Sequence, residues 1–197
     1  MSWEKVGAIA GVIGVLIAAA GLGYAVATDW TPTLFGGKND RFSCQLSADT
    51  SRGGEVWTVV YHHDKGQQPW LKMVNTFGDD WNTQKRCETI SDRLEGFRKD
   101  GLIALDYRND PNTPMQAVIC AKTKLSPTGC SLVVTLKPLA DGYESLRDMT
   151  EALRNRGSVE QSSSSVAVAP SFSRSSPVIN LGSLLAEEDL KAGSGDK

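Results

Sequence analysis

The chain has 197 residues, 22% of them charged, a formal net charge of -2 and four cysteines. Its lysines and arginines are not gathered into a basic stripe interleaved with aromatics, so the electrostatic footprint of a nucleic-acid binder is missing. Outside an apolar amino-terminal run and a Ser-rich carboxy-terminal stretch, the length suits one domain with a real core rather than two.

The first element runs from Val6 to Ala27 without a charged side chain, and the hydroxyl of Tyr24 is its only polar side-chain group. As a helix it extends about 33 Å, enough for a hydrocarbon core about 30 Å thick, so residues 6–27 predict a single membrane anchor behind a short flank, 1–5. Lys5 and the small residues Ala25, Val26 and Ala27 also fit a cleaved signal, but a signal core has about 7 to 15 apolar residues and this run is longer. Either kind of segment exports the domain behind it. Lys5 on one side and Lys38 and Arg41 on the other leave the orientation unsettled by charge. An inner-membrane anchor with a periplasmic domain is the expectation, a thylakoid lumen the second choice. Gly7, Gly11 and Gly14 supply small-residue spacing through which two such helices pack as a homodimer.

Residues 28–40, with Pro32, Gly36 and Gly37, read as a linker, and the domain is expected over 41–156. Arg41 to Leu46 places Phe42, Cys44 and Leu46 on one face of a strand. A turn at Arg52, Gly53 and Gly54 leads to a second strand, Glu55 to Tyr61. A polar turn at Lys65 to Gln68 leads to a third, Trp70 to Phe77. Asn82 or Thr83 caps a helix to Lys99 whose inner stripe is Cys87, Ile90, Leu94 and Phe97. After Gly101 come strands over Leu102 to Tyr107, Met115 to Lys122 and Cys130 to Leu136, then a helix from Asp141 to Arg156 carrying Tyr143, Leu146, Met149 and Leu153 inward. The predicted fold class is α+β, an antiparallel sheet with two helices packed on one face, beside the amino-terminal transmembrane helix. Residues 157–197 carry too little apolar area to offset ordering and read as a disordered tail, with a short helix at 181–190 presenting Leu181, Leu184, Leu185 and Leu190.

Cys44, Cys87, Cys120 and Cys130 contain no C-x-x-C pair, which disfavours zinc and suits disulfides in an oxidising compartment. Four cysteines allow three connectivities. Cys120 and Cys130 stand near the facing ends of one hairpin and are natural partners, and elimination then joins Cys44 to Cys87. All four read as core-facing and inert.

The segments TQKRCETISDRLEGFRKDGLIAL and AVICAKTKLSPTGCSLVVTLKP carry a further signal. Taken with Cys44, the helix pattern Arg86 to Arg93, Val118 to Cys120, Gly129 with Cys130, and Leu136 to Pro138 resemble the circadian oscillating polypeptide domain of cyanobacteria over about 41–153. The resemblance implies an exported or membrane-associated domain and carries over no catalytic residues. The Ser-rich tail and the turn at Ser126, Pro127 and Thr128 depart from that family's pattern.

Adjacent His62 and His63, before Asp64, are the leading catalytic or metal candidates, with Asp79 or Asp80 as the carboxylate. Neighbouring residues on a strand point to opposite faces, so one site does not readily use both. A hydrolase or metal enzyme centred there is one alternative. A glycan or peptidoglycan binder using Trp57, Trp70 and Trp81 is another. No G-x-S-x-G elbow and no phosphate loop is present. The leading expectation is a non-catalytic binding module without metal or cofactor, recognising a protein or envelope partner.

Overall fold

A computed structural model describes residues 40–77, 80–110, 113, 115–161 and 178–194. The anchor expected at 6–27, its glycine-spaced dimer face and nearly all of the linker lie outside the described residues. Among the described residues no helix is long and apolar enough to cross a membrane. In chain order the elements are β1 (Phe42–Ala48), β2 (Glu55–His63), β3 (Gly66–Met73), α1 (Thr83–Lys99), β4 (Leu102–Asn109), β5 (Ala117–Thr123), β6 (Ser131–Thr135), α2 (Gly142–Asn155), β7 (Val159–Gln161), β8 (Ile179–Asn180) and α3 (Glu187–Lys191).

The fold is α+β, but its strands form two four-stranded sheets rather than one, in the orders β1-β2-β3-β7 and β6-β5-β4-β8. The reason lies in the connections. Short connections join neighbouring strands in the meanders β1-β2-β3 and β4-β5-β6, whereas β3 and β4 are separated by α1 and share no hairpin. Every pairing is antiparallel except β3 with β7. The two helices therefore do not cover one face of one sheet: α1 and α2 each contact strands of both.

Asn82 caps α1, its side chain accepting from the Lys85 N–H at 2.8 Å. The inner stripe buries Cys87, Ile90 and Leu94 against Phe42, Val59, Tyr61 and Leu71 in one continuous core. Leu46 and Tyr143 share the sequence pattern of the buried faces but stand 46% and 48% exposed: Tyr143 is in the first turn of its helix, and Leu46 is on the half of β1 beyond Cys44, where burial of the strand gives out. The turn between β2 and β3 is tighter than the polar run suggested: β3 already begins at Gly66, whose φ of 121° suits glycine, and Gln68 is buried.

One of the two disulfides ties a sheet to a helix and the other closes a hairpin. Cys44 of β1 joins Cys87 of α1 in the core, with 5.5 Å between their Cα atoms, and Cys120 joins Cys130 across 4.9 Å. The expectation that all four sulfurs face the core needs correction. Cys44, Cys87 and Cys120 are buried as expected, although Cys120 lies on the face of β5 opposite Ala117, Ile119 and Ala121, but Cys130 is exposed.

The expected disordered tail also needs correction. Val159 to Gln161 extends the first sheet, and Ile179 and Asn180 extend the second. Leu181, Leu184 and Leu185 are buried in the core, and the helix is the short α3 at 187–191 rather than 181–190. Among the described residues of this stretch, Ile179 and Leu190 pack against the core beside these three leucines, while Val178 stands exposed. Residues 162–177, the Ser-rich part, lie outside the described residues.

Candidate functional site

The register of β1 and β2 sets Ser43 opposite Val60, so Ser43 and His62 share a face as diagonal neighbours. The Ser43 Oγ and His62 Nε2 meet at 2.7 Å, and the Gln45 amide donates to the same Oγ at 2.9 Å. Burial, with the charge of Arg41 adding to it, holds the His62 imidazole below its ordinary value, so it is neutral near pH 7. Ser43 is only 3% exposed. Among the described residues no carboxylate holds the other ring nitrogen in the manner that orients a catalytic imidazole.

His63 points elsewhere. Its Nδ1 accepts from the Lys65 N–H at 3.1 Å, and its ring meets Tyr61 edge-on at 5.8 Å. Asp64 pairs with Arg41 at 2.6 Å, and Asp80 is engaged through its carbonyl by Lys85. Asp79 lies outside the described residues. Among the described residues no group of three or more His, Cys, Asp or Glu side chains could hold a metal ion.

The three tryptophans separate. Trp70 is a core residue, 1% exposed, and its Nε1 donates to the Met149 carbonyl at 2.8 Å, pinning α2 to β3. It is not available for binding. The cause is a bulge: Val59 pairs with Leu71 and Val60 with Pro69, leaving Trp70 as the extra residue whose side chain is re-aimed inward. Trp57 is half-buried and lines one hollow, while Trp81, 39% exposed, lines another. The set forms no shared platform for a sugar.

The hollow at Trp81 is an open groove of about 360 Å³ between α1, β6 and the side chains of Phe77 and Trp81. The Phe77 N–H donates to the Trp81 carbonyl at 3.0 Å. Phe77, Trp81, Ile90, Leu132 and Val134 supply apolar walls, and Arg86 and Arg93 supply charge. Arg86, 6% exposed, lies over the Phe77 ring at 4.6 Å and donates through Nη1 to the Asn75 carbonyl. Burial pulls its pKa below the ordinary value, and among the described residues no carboxylate counters that pull. Arg93 Nη1 donates to the Val133 carbonyl at 3.2 Å, covering a backbone acceptor of the edge strand β6. Lys85 adds a third cation, 5.0 Å from the Trp81 ring.

A second constellation has almost no signature in the sequence. Asp189 of α3, 1% exposed, accepts from the Tyr61 hydroxyl at 2.6 Å and pairs with Arg98 at 3.2 Å and Arg41 at 3.5 Å. The same hydroxyl accepts the Ala186 N–H at 2.7 Å. Burial, then the bond to Asp189, raises the Tyr61 pKa well above its ordinary value, which keeps the phenol a donor. Glu95 takes the N–H groups of Arg41 and Phe42 and the guanidinium of Arg98. These residues are far apart in the chain; the one sequence signal is a carboxylate, Glu95, directly beside the stripe residue Leu94. The network fastens the carboxy-terminal segment to β2 and α1.

No curated protein and no solved structure gives a significant match to the chain. The family model described as circadian oscillating protein COP23 matches residues 41–186, a span that takes in both sheets, both disulfides, the Trp81 groove and the segment up to the Ala186 N–H. The chain therefore belongs to the circadian oscillating protein COP23 family.

Proposed function

We propose that this protein is a membrane-anchored, extracytoplasmic binding module with no catalytic chemistry of its own. The observation that carries the reading is the Trp81 groove: open, walled by aromatic and aliphatic side chains, and holding two guanidinium groups with no carboxylate among the described residues that line it. Such a mixture of apolar wall and a few fixed polar groups is what ligand and partner sites share. The two disulfides suit an oxidising compartment, and the length of the apolar run at 6–27 suits an anchor. A periplasmic domain is favoured over a lumenal one. His62 and His63, by contrast, are engaged in cross-strand and turn hydrogen bonds.

The test is photo-crosslinking in intact membranes with a photoreactive side chain in place of Trp81, combined with protease added from outside. The expected result is one reproducible adduct to an envelope component and a domain cleaved only after the outer barrier is opened. Absence of any adduct, together with a domain protected as a cytosolic protein is, overturns the reading.

A further inference from the structure

Resting on that reading, we infer that the Trp81 groove binds an acidic peptide segment of a partner protein, with a carboxylate against Arg86 and Arg93 and an apolar side chain against Trp81, Phe77 and Ile90. Charge is the first reason. Arg86 is 6% exposed, and a cation so buried is costly unless something pairs with it. Among the described residues it has an aromatic face and one backbone carbonyl, and no carboxylate oxygen forms an ion pair with it. Arg86 also lines a smaller hollow with Glu144, Asp148 and Glu160, and these acids pair with other cations: Glu144 and Asp148 with Arg147, Glu160 with Arg52.

Geometry selects a carboxylate. Arg86 and Arg93 each spend Nη1 on a backbone carbonyl, and among the described residues their remaining N–H groups have no partner. A planar guanidinium with free N–H groups is matched to the two oxygens of a carboxylate. The walls then select a peptide over a free anion. A small inorganic anion leaves Trp81, Phe77 and Ile90 uncovered, whereas an acidic peptide brings the anion and an apolar neighbour together. A volume of about 360 Å³ accommodates such a pair of side chains and leaves the rest of the segment outside. Arg93 already occupies the Val133 carbonyl, so the peptide is held by its side chains rather than by adding a strand to β6.

The full chain, in detergent micelles, is titrated with capped pentapeptides in which Asp or Glu is flanked by each apolar residue in turn, alongside the same peptides with Asn or Gln. Tryptophan emission is the readout, and Trp81→Phe shows which part of the signal belongs to the groove. We expect saturable binding of acidic members, weakened about tenfold to a hundredfold in the amide counterparts and in Arg93→Gln, and weakened by added salt. Arg93→Gln is the primary variant because Arg93 is the less buried cation; Arg86→Lys is the second, keeping the charge while losing the fork. Equal binding of acid and amide peptides, indifference to Arg93→Gln, or no saturable binding below about 1 mM overturns the inference. If Arg93→Gln then captures the same membrane partner as the wild type, the binding-module reading stands on another surface; if neither captures one, both fall.

Discussion

His62 shows how little a residue type says without its surroundings. Two adjacent histidines before an aspartate invite a metal or hydrolytic reading, yet the register gives His62 to Ser43 and the turn gives His63 to Lys65. The consequence is thermodynamic. A folded-state pKa below the ordinary 6.5 means that the unfolded chain binds the proton more tightly, so the stability linked to His62 is fully present above 6.5 and is lost as the pH falls through the depressed folded value. His62→Gln keeps an acceptor for Ser43 and removes the titration. Denaturant midpoints measured from pH about 7.5 down to about 5 are expected to fall more steeply for the wild type than for His62→Gln, and parallel curves would refute the assignment. Trp70 and Trp81 are indistinguishable in the sequence for a related reason. Direction along a strand is read from alternation, and the bulge at Trp70 breaks it; Pro69, a residue that seldom sits within a regular strand, is the available warning.

At the scale of elements, periodicity carries most of the information. Cys87, Ile90 and Leu94 recur at helical spacing, and Phe42 and Cys44 alternate, so α1 and β1 and the faces they bury are legible; Cys44 and Cys87 meet where those faces meet. What periodicity does not encode is which sheet a strand joins, and hence the division into two sheets is not legible. The two disulfides differ in the same way. In the chain-entropy account, linking residues 43 apart contributes roughly 4 kcal/mol and residues 10 apart roughly 3 kcal/mol. Cys44 and Cys87 are also wholly inside the core, whereas Cys130 is exposed. The pair Cys44→Ala with Cys87→Ala is therefore expected to lower the denaturation free energy more than Cys120→Ala with Cys130→Ala. Mild reduction of the folded protein is expected to open the Cys120–Cys130 bond first. Denaturation curves of the two double variants and timed thiol labelling check both statements, and reversal of either order would count against this division of roles.

For the whole molecule, the decisive feature is that the chain's end completes its middle. Composition marks 157–197 as unable to fold by itself, which is consistent with its few apolar residues, but it says nothing about whether an existing core has room for them. Leu181, Leu184 and Leu185 fill that room, and Asp189 supplies the buried anion for Arg98 and Arg41. The matched family region ends at 186, three positions before Asp189, so the ion network reaches past the part that the family describes. Ending the chain after residue 177 would strip β8 from β4, open the core beneath three leucines, leave the Tyr61 hydroxyl without its acceptor, and take the buried carboxylate from Arg98 and Arg41, which would keep only Glu95 and Asp64 respectively as anionic partners. Losing one partner of a buried ion pair alone costs about 3–5 kcal/mol, comparable with the total stability of many domains. The shortened protein is thus expected to lose its cooperative unfolding transition even with both disulfides intact, and a synthetic peptide of residues 178–194 added in trans to restore it. The same peptide with Asn in place of Asp189 is expected to restore it poorly. A shortened chain that unfolds with the wild-type midpoint would show that the carboxy-terminal segment rests on the domain without contributing to its stability.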